Sequence, residues 1–192
     1  MIQERLKALR AEMEKRGITV YVVPTADFHE SEYVGDHFKA RKFITGFTGS
    51  AGTAVITLDE AGLWTDGRYF VQAENQLKDS TVTLYRMGEE GVPTVDEFVK
   101  DRLKEGGCLG FDGRVVNGTW GGKLEKIAAE KNVSMHVTED LIDMIWEDRP
   151  ALSKQPLFIL EEKYSGKSTA DKIADLRKAM KENGADVHIL TS

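Results

Sequence analysis

The first residues of the chain carry two hydrophobic patterns, one after the other. From Ile2 to Met13, apolar residues recur every three or four positions, which is the spacing of one face of an α-helix. Gly17 follows at a position where a helix C-terminus favours a left-handed backbone. Residues 18–23 are then apolar or β-branched throughout, and the run ends at Pro24. The pattern predicts a helix followed by a buried strand.

Strand-like and helix-like patterns continue to alternate up to residue 145. Further strands are predicted at residues 53–58, 63–65, 81–86, 108–111 and 133–137. Further helices are predicted at residues 38–43, 68–77, 94–103, 118–130 and 140–145, with Asp66 as the N-cap of the second. Helices that alternate with strands predict an α/β domain in which a mixed β-sheet is flanked by helices.

The predicted α/β domain occupies residues 1–149, and a connector containing proline and glycine follows at residues 150–167. Beyond the connector, residues 172–191 repeat the pattern of residues 5–24 at one constant offset. A helix and a single strand cannot bury their apolar faces alone. We therefore expect residues 168–192 to be the truncated start of a second, similar domain, and the chain to be a piece of a longer protein.

Charge and composition narrow the possible functions. The net charge of −6 and the pI of about 5.3 argue against a nucleic-acid partner, for which a basic face supplies most of the attraction. The lysines and arginines are scattered, so no basic patch for a membrane surface is predicted. The single cysteine, Cys108, lies in an apolar run and is expected to be a core residue in a reducing compartment. Since no apolar run has signal-peptide or membrane-spanning length, we expect a cytoplasmic protein without a membrane partner.

One predicted loop gathers several residue types that bind metal ions. His29, Glu30, Glu32, Asp36 and His37 are close together in the sequence. Metal sites need a defined ligand geometry, whereas loop clusters of this kind are usually solvated, so we favour a solvated loop over an ion site. The histidines do not form a His-Glu-x-x-His pair. We therefore predict no catalytic and no metal-binding residues in this chain.

The glycine-rich loop from Gly46 to Gly52 raises the question of phosphate binding. A phosphate-binding loop opens a helix whose N-terminal amides hold the anion, whereas here a β-branched strand follows. Ser50 also lacks the Gly-x-Ser-x-Gly context of a hydrolase nucleophile. The loop is therefore predicted to be a close-packed turn in which Cβ atoms would not fit.

The segment Asp66-Gly67-Arg68-Tyr69-Phe70 admits two interpretations. In the first, Asp66 caps a helix, Gly67 turns the chain, and an aromatic residue packs into the core. In the second, Arg68 lies at a cleft, where its guanidinium holds a carboxylate through two hydrogen bonds or pairs across an interface. The residues alone leave both interpretations open.

Four segments of the chain carry a resemblance to a known family. They are residues 23–33, 44–55, 63–73 and 145–150. In this order they resemble the N-terminal domain of cytosolic Xaa-Pro aminopeptidases (aminopeptidase P), which belong to the creatinase and prolidase superfamily. Tyr164-Ser165-Gly166, followed by residues 172–177, is similar to the passage of that family into its second domain.

The resemblance implies a three-domain metallopeptidase in which two related α/β domains precede a catalytic domain of the pita-bread fold. It implies two divalent ions, usually manganese, held in that catalytic domain by two Asp, one His and two Glu, and these motifs have no match in this chain. The parent enzyme would be a hydrolase that removes an N-terminal residue linked to proline, with a metal-bridging hydroxide as the nucleophile.

The resemblance also implies a supporting role for this chain. We expect it to aid dimerisation and to narrow the entrance to the active site, which favours short, unblocked, proline-containing peptides. We expect His29, Arg68 and Tyr69 to lie near that entrance or near a neighbouring subunit.

Two other interpretations remain open. In the first, the chain is a stand-alone peptide-binding or regulatory domain that acts without an enzyme. In the second, it is a fragment of a prolidase or creatinase relative. Those enzymes typically have one leading domain, so the repeat that begins at Thr169 argues against the second interpretation.

Overall fold

The computed structural model describes residues 1–190, which divide into two units, the first being Met1–Ser153. The helices of the first unit are α1 (Ile2–Lys15), α2 (Ala40–Thr45), α3 (Phe70–Leu77), α4 (Val95–Arg102) and α5 (Gly118–Glu130), with a 3₁₀ turn at Asp36–Phe38. Its strands are β1 (Val20–Pro24), β2 (Thr53–Thr57), β3 (Ala61–Thr65), β4 (Thr83–Arg86), β5 (Cys108–Phe111) and β6 (Ser134–His136). Apart from the helix predicted at residues 140–145, the elements predicted in this unit are present at nearly the same residues.

The six strands form one sheet in the order β4-β3-β2-β1-β5-β6. Strand β2 is antiparallel to both β1 and β3, whereas β4 is parallel to β3. Strand β5 is parallel to both β1 and β6. The sheet is therefore mixed and is flanked by helices, which confirms the fold class predicted from the sequence.

Two hydrophobic cores cover the sheet, because successive side chains of a strand point to opposite faces. On one face, helices α1, α2 and α3 pack with side chains such as Tyr21 and Leu63. On the other face, helices α4 and α5 pack with Val22 and Trp64. Cys108 is buried in the first core, as predicted.

Residues 140–145 were predicted to be a helix, but residues 141–145 form consecutive turns instead. The backbone makes turn hydrogen bonds, such as that from the N–H of Asp143 to the carbonyl oxygen of Asp140 at 3.1 Å, and other polar groups of the segment bond to side chains. The backbone N–H of Leu141 donates to Oη of Tyr21 at 2.9 Å, and Oδ2 of Asp140 accepts from Nη1 of Arg149 at 2.6 Å. The helix prediction was wrong because these side-chain contacts, one from Tyr21 and one from Arg149, compete with helical hydrogen bonds.

The second unit, from Lys154 onward, contains the helices α6 (Glu162–Ser165) and α7 (Thr169–Glu182). Ser168 caps α7, since its Oγ accepts a hydrogen bond from the backbone N–H of Asp171 at 3.1 Å. The strand predicted at residues 187–191 is not formed by residues 187–190, and residue 191 lies outside the described residues. A strand needs a pairing partner, and the described part of this unit supplies none.

Candidate functional site

Four loops meet at one edge of the sheet in the first unit. Strands β1, β3 and β5 run in the same direction, so residues 25–35, 66–69 and 112–117, which follow them, leave the sheet at this edge. Strand β2 runs in the opposite direction, and the glycine-rich loop at residues 46–52, which precedes it, lies at the same edge. The carboxyl ends of strands are where open α/β sheets commonly bind ligands, so this edge is the candidate site.

Arg68 and Asp66 form a fixed ion pair just after β3. Oδ1 of Asp66 accepts hydrogen bonds from the backbone N–H of Arg68 at 3.1 Å and from its Nε at 2.8 Å, while Oδ2 accepts from Nη2 at 2.8 Å. The guanidinium lowers the pKa of Asp66 to about 2. Since 70% of its side chain is exposed, Arg68 presents its remaining N–H donors to solvent in an orientation set by its own carboxylate partner.

Asp66 is not the N-cap predicted for the following helix. Helix α3 begins at Phe70, and its N-cap residue, Tyr69, makes no side-chain capping hydrogen bond. The prediction was wrong because the helix begins four residues after Asp66, whose carboxylate instead closes a local turn with the backbone and side chain of Arg68.

Tyr69 joins the Arg68 segment to the glycine-rich loop. Its Oη lies 2.6 Å from Oγ of Ser50, and this hydrogen bond lowers the pKa of the Tyr69 phenol. The guanidinium carbon of Arg68 lies 5.3 Å from the centroid of the Tyr69 ring. Tyr69 therefore contacts both Arg68 and Ser50.

His29 lies in the loop that follows β1, and β2 separates that strand from β3. The backbone N–H of His29 donates to Oδ1 of Asp27 at 2.9 Å, which tightens the turn, while the His29 side chain is exposed. The next residue, Glu30, has a φ of 53°, and its carboxylate accepts from Nδ2 of Asn117. His29 therefore lies in a loop at the same sheet edge as the arginine–tyrosine pair.

Arg41, which belongs to no sequence motif, holds the glycine-rich loop from inside. Its Nη1 donates to the carbonyl oxygen of Phe47 at 2.6 Å, its Nη2 donates to the carbonyl oxygen of Gly49, and its Nε donates to Oγ1 of Thr25 at 2.9 Å. Oγ1 of Thr25 in turn donates to the carbonyl oxygen of Gly52 at 2.7 Å. One buried guanidinium therefore fixes the path of the loop beside β1.

The predicted close packing of this loop is confirmed at two of its glycines. A Cβ atom on Gly49 would lie 2.3 Å from Cζ of Phe47 and 2.8 Å from Cδ1 of Tyr69. At Gly52, φ is +154°, and a Cβ atom would lie 2.8 Å from the carbonyl oxygen of Trp64. Larger residues are excluded at both positions.

Replacing Gly49 with alanine is expected to destabilise the first unit by about 2 kcal/mol, because two aromatic rings must move to admit the methyl group. Urea-induced unfolding followed by circular dichroism measures the change. The matched control is Gly122→Ala in α5, where no heavy atom lies within 4 Å of the added carbon. Alanine is expected to stabilise this helical position by up to about 1 kcal/mol. Equal effects of the two changes would mean that the rings around Gly49 move freely.

A second Asp-Gly-Arg segment, Asp112-Gly113-Arg114, follows β5 and repeats the geometry of the first. Oδ1 of Asp112 accepts from the backbone N–H of Arg114 at 3.0 Å and from its Nε at 2.9 Å, and Oδ2 accepts from Nη2 at 3.0 Å. The Arg114 guanidinium also lies over the ring of Phe28 at 5.3 Å. The sequence analysis did not identify this segment. The same Asp-Gly-Arg tripeptide follows two predicted strands, and that repetition could have identified it.

Metal-binding side chains do not gather in the described chain: among residues 1–190, no group of three or more His, Cys, Asp or Glu could hold an ion. Two residues of the predicted loop cluster at positions 29–37 make other contacts. Asp36 pairs with Lys39, and Nδ1 of His37 lies 2.8 Å from the carbonyl oxygen of Pro150. Over the same described residues, no helix is both long and apolar enough to cross a membrane.

Family models match most of the sequence. Residues 5–145 match the model of the creatinase/prolidase N-terminal domain, and residues 148–192 match a second model with the same description. The first match includes all four loops of the candidate site.

Curated relatives align over nearly the whole chain. A probable Xaa-Pro aminopeptidase P from Sordaria macrospora is 42% identical over 191 residues, which make up 98% of this chain and 31% of that protein. Aminopeptidase P2 from Arabidopsis thaliana is 37% identical over 196 residues, covering 100% of this chain and 28% of that protein. The chain therefore spans less than a third of these relatives, at their N-terminal end.

Solved structures show the same fold. The X-prolyl aminopeptidase from Caenorhabditis elegans, described as a cytosolic enzyme with a di-nuclear active site, superimposes with a TM-score of 0.84 at 33% identity, over 97% of this chain and 32% of that one. An aminopeptidase P structure from Streptococcus thermophilus shares the fold at 19% identity, with a TM-score of 0.55 over 75% of this chain and 97% of that one. On the match over residues 5–145, this chain belongs to the creatinase/prolidase N-terminal domain family.

Proposed function

We propose that the chain is the non-catalytic N-terminal part of an Xaa-Pro aminopeptidase, a metallopeptidase. The observation that carries this proposal is the 42% identity to a probable Xaa-Pro aminopeptidase P across 98% of the chain. The parent enzyme hydrolyses the bond between an N-terminal residue and a penultimate proline. Its partners are its own C-terminal domains, a second copy in a cytoplasmic homodimer, and short proline-containing peptides.

In this proposal, the catalytic domain of the parent binds two divalent metal ions, with manganese as the expected metal. The di-nuclear active site of the Caenorhabditis elegans enzyme supports the number of ions. Such a pair supplies an activated water molecule and stabilises the charge that develops during hydrolysis. The residues of the present chain contribute access and assembly rather than hydrolysis.

The arginine–tyrosine pair, an exposed Arg68 beside a half-buried Tyr69, supports a role in access or assembly. Asp66 already fixes the Arg68 guanidinium through two side-chain hydrogen bonds, so little side-chain freedom is lost when the arginine meets a second carboxylate. Its remaining donors suit the planar geometry of a carboxylate. We propose that this pair, with His29 on the same sheet edge, lies at the entrance to the active site or at the subunit interface.

Peptide hydrolysis by the full-length protein tests the proposed activity. A tripeptide with proline in second position is expected to lose its first residue, while the same peptide with alanine there stays intact. Removing divalent metal with a chelator should stop the reaction, and manganese should restore it. Cleavage of Xaa-Pro dipeptides alone would instead identify a prolidase relative. Absence of cleavage, with proline peptides binding to the 192-residue chain, would favour the stand-alone binding domain.

In the full-length enzyme, Arg68→Ala is expected to lower kcat/KM for the tripeptide at least about tenfold, or to weaken dimerisation by a similar factor, because a charged hydrogen bond is lost. Steady-state kinetics and analytical ultracentrifugation measure the two effects. The matched control is Arg102→Ala, which removes an arginine that is also paired through two nitrogens with a carboxylate, Glu60, in the turn between β2 and β3 at the opposite edge of the sheet. Unchanged kinetics and mass, or an equal loss in the control, would exclude a specific role for Arg68.

A further inference from the structure

A cavity of about 330 Å³ opens beside the glycine-rich loop in the first unit. Its lining includes the basic residues Lys39, Arg41 and Lys42 and the hydroxyl residues Thr48 and Ser50. This volume is at the lower end of the range in which proteins bind small molecules. Basic residues outnumber acidic residues in this lining, whereas in the neighbouring Asp66–Arg68 pair the two charges balance.

The guanidinium of Arg41 is buried without a carboxylate partner. The residue is 3% exposed, and among residues 1–190 no Asp or Glu forms an ion pair with it within 4.0 Å. Burial lowers the pKa of Arg41 to about 10, so the side chain still carries its charge at neutral pH. The ring of Phe47 lies 4.7 Å from the guanidinium carbon, which offsets part of the burial cost but adds no negative charge. Buried charges in proteins are normally paired, so an opposite charge is missing here.

The donors of Arg41 are only partly used. A guanidinium has five N–H donors, and Thr25, Phe47 and Gly49 accept one hydrogen bond each. Two N–H donors therefore remain on a residue that lines the cavity. The fixed, planar arrangement of such donors matches the oxygen atoms of a carboxylate or a phosphate.

The charged residues of the lining, three basic and one acidic, leave a net positive charge beside Arg41. Lys39 pairs with Asp36, outside the lining, whereas Lys42 is exposed. Glu32 is an acidic residue of the lining. The pKa of Arg68 is raised chiefly by Asp66, with smaller contributions from Tyr69 and Glu32, so Glu32 also interacts with that second arginine. The electrostatic character of the cavity favours an anion.

We propose that this cavity binds an oxyanion, the carboxylate or phosphate group of a small ligand, with Arg41 at its base and Lys39 and Lys42 at its side. The hydroxyl of Thr48 already accepts from the side-chain amides of Gln72 and Gln76, at 2.9 and 2.8 Å, so its own proton can be directed to the ligand. Binding supplies the negative charge that the buried guanidinium lacks.

Titration of the 192-residue chain with defined probes tests this site. The probes are inorganic phosphate, N-acetylglycine, and N-acetylglycinamide, which lacks the carboxylate, all at constant ionic strength. Saturable shifts of the backbone amide signals of Thr48, Gly49 and Ser50 are expected with phosphate or N-acetylglycine, and not with the amide. The tighter of the first two probes identifies the group that the site prefers. Shifts that do not saturate, or that the uncharged amide reproduces, would overturn the proposal.

Substitutions show whether the binding is at this cavity. Replacing Lys39 and Lys42 together with glutamine is expected to raise the dissociation constant at least about tenfold, since two charged donors are lost. Arg41→Lys keeps the charge but not the planar donors, and should weaken binding similarly. The matched control is Lys126→Gln on the exposed surface of α5, which should leave binding unchanged. If Arg41→Lys fails to fold, the lysine pair still decides, and unaltered affinity there would overturn the site.

Discussion

Replacing Trp64 with alanine is expected to lower the free energy of unfolding of the first unit by about 4 kcal/mol. Trp64 is fully buried, and its ring stacks on Tyr85 with centroids 4.1 Å apart and an interplanar angle of 3°. Phe98 meets the same ring edge to face at 4.8 Å, and Nε1 of Trp64 donates to the carbonyl oxygen of Pro93 at 2.7 Å. The change leaves a large cavity and an unpaired carbonyl group, and a loss of this size is a substantial share of a typical domain's total stability.

Urea unfolding followed by circular dichroism measures this loss without relying on tryptophan fluorescence. The matched control is Trp120→Ala, since Trp120 is half-buried and its Nε1 also has an acceptor, Oδ1 of Asp96 at 2.8 Å. We expect the control to lose less than half as much, because less apolar surface is removed from the core. Similar losses at the two positions would contradict the central place of Trp64 in the core.

Replacing Arg149 with methionine is expected to destabilise the first unit by about 3 kcal/mol. The side chains of Arg149 and Asp140 are 8% and 6% exposed, and Nη1 lies 2.6 Å from Oδ2. Nε of Arg149 also donates to the carbonyl oxygen of His37 at 2.9 Å. Removing the arginine leaves the Asp140 carboxylate buried without an opposite charge.

A second substitution separates the charge effect from the loss of packing. Adding Asp140→Asn to Arg149→Met is expected to recover at least about 1 kcal/mol, because no uncompensated charge then remains buried. Arg68→Met, which breaks a largely exposed ion pair, serves as the control and should leave the urea midpoint unchanged. If Asp140→Asn recovered nothing, the loss in Arg149→Met would have to come from packing and from the bond to His37.

The layered fold was predictable because it depends on patterns that are local in the sequence. The spacing of Leu6, Leu9 and Met13 indicated one buried helix face, and all three residues are buried in α1. Helix α5 begins at Gly118, as predicted, after an Asn117 side chain that accepts from the backbone N–H of Trp120 at 2.8 Å. Such signals require no knowledge of distant residues.

Features that depend on distant residues were not predictable. Strands β1 and β5 are neighbours in the sheet although the adjoining residues Thr19 and Cys108 are 89 positions apart. The turns at residues 141–145 likewise begin at a hydrogen bond from Leu141 to Tyr21, 120 positions away, whereas their apolar pattern alone indicated a helix. In both cases tertiary contacts decide between alternatives that the local sequence permits.

In the candidate site, too, residues in local sequence motifs were predictable, whereas a residue whose role depends on distant contacts was not. The sequence singled out Arg68 and Tyr69 because a distinctive tripeptide precedes an aromatic pair, and the structure brings them together with Ser50. Arg41 carried no such signal, because a basic residue in a short predicted helix is typical of an exposed surface. Its burial arises only when the glycine-rich loop folds around it.

The strand order also has a consequence for folding during synthesis. Residues 20–86 contain β1 to β4, which are consecutive in the sheet, so these four strands can pair before the rest of the unit has left the ribosome. The outer edge of β1 then has no partner until residues 108–111 are made. An unpaired edge on a strand that is apolar on both faces is prone to pairing with other chains. The nascent chain is therefore most vulnerable to aggregation in the interval between the synthesis of β4 and of β5.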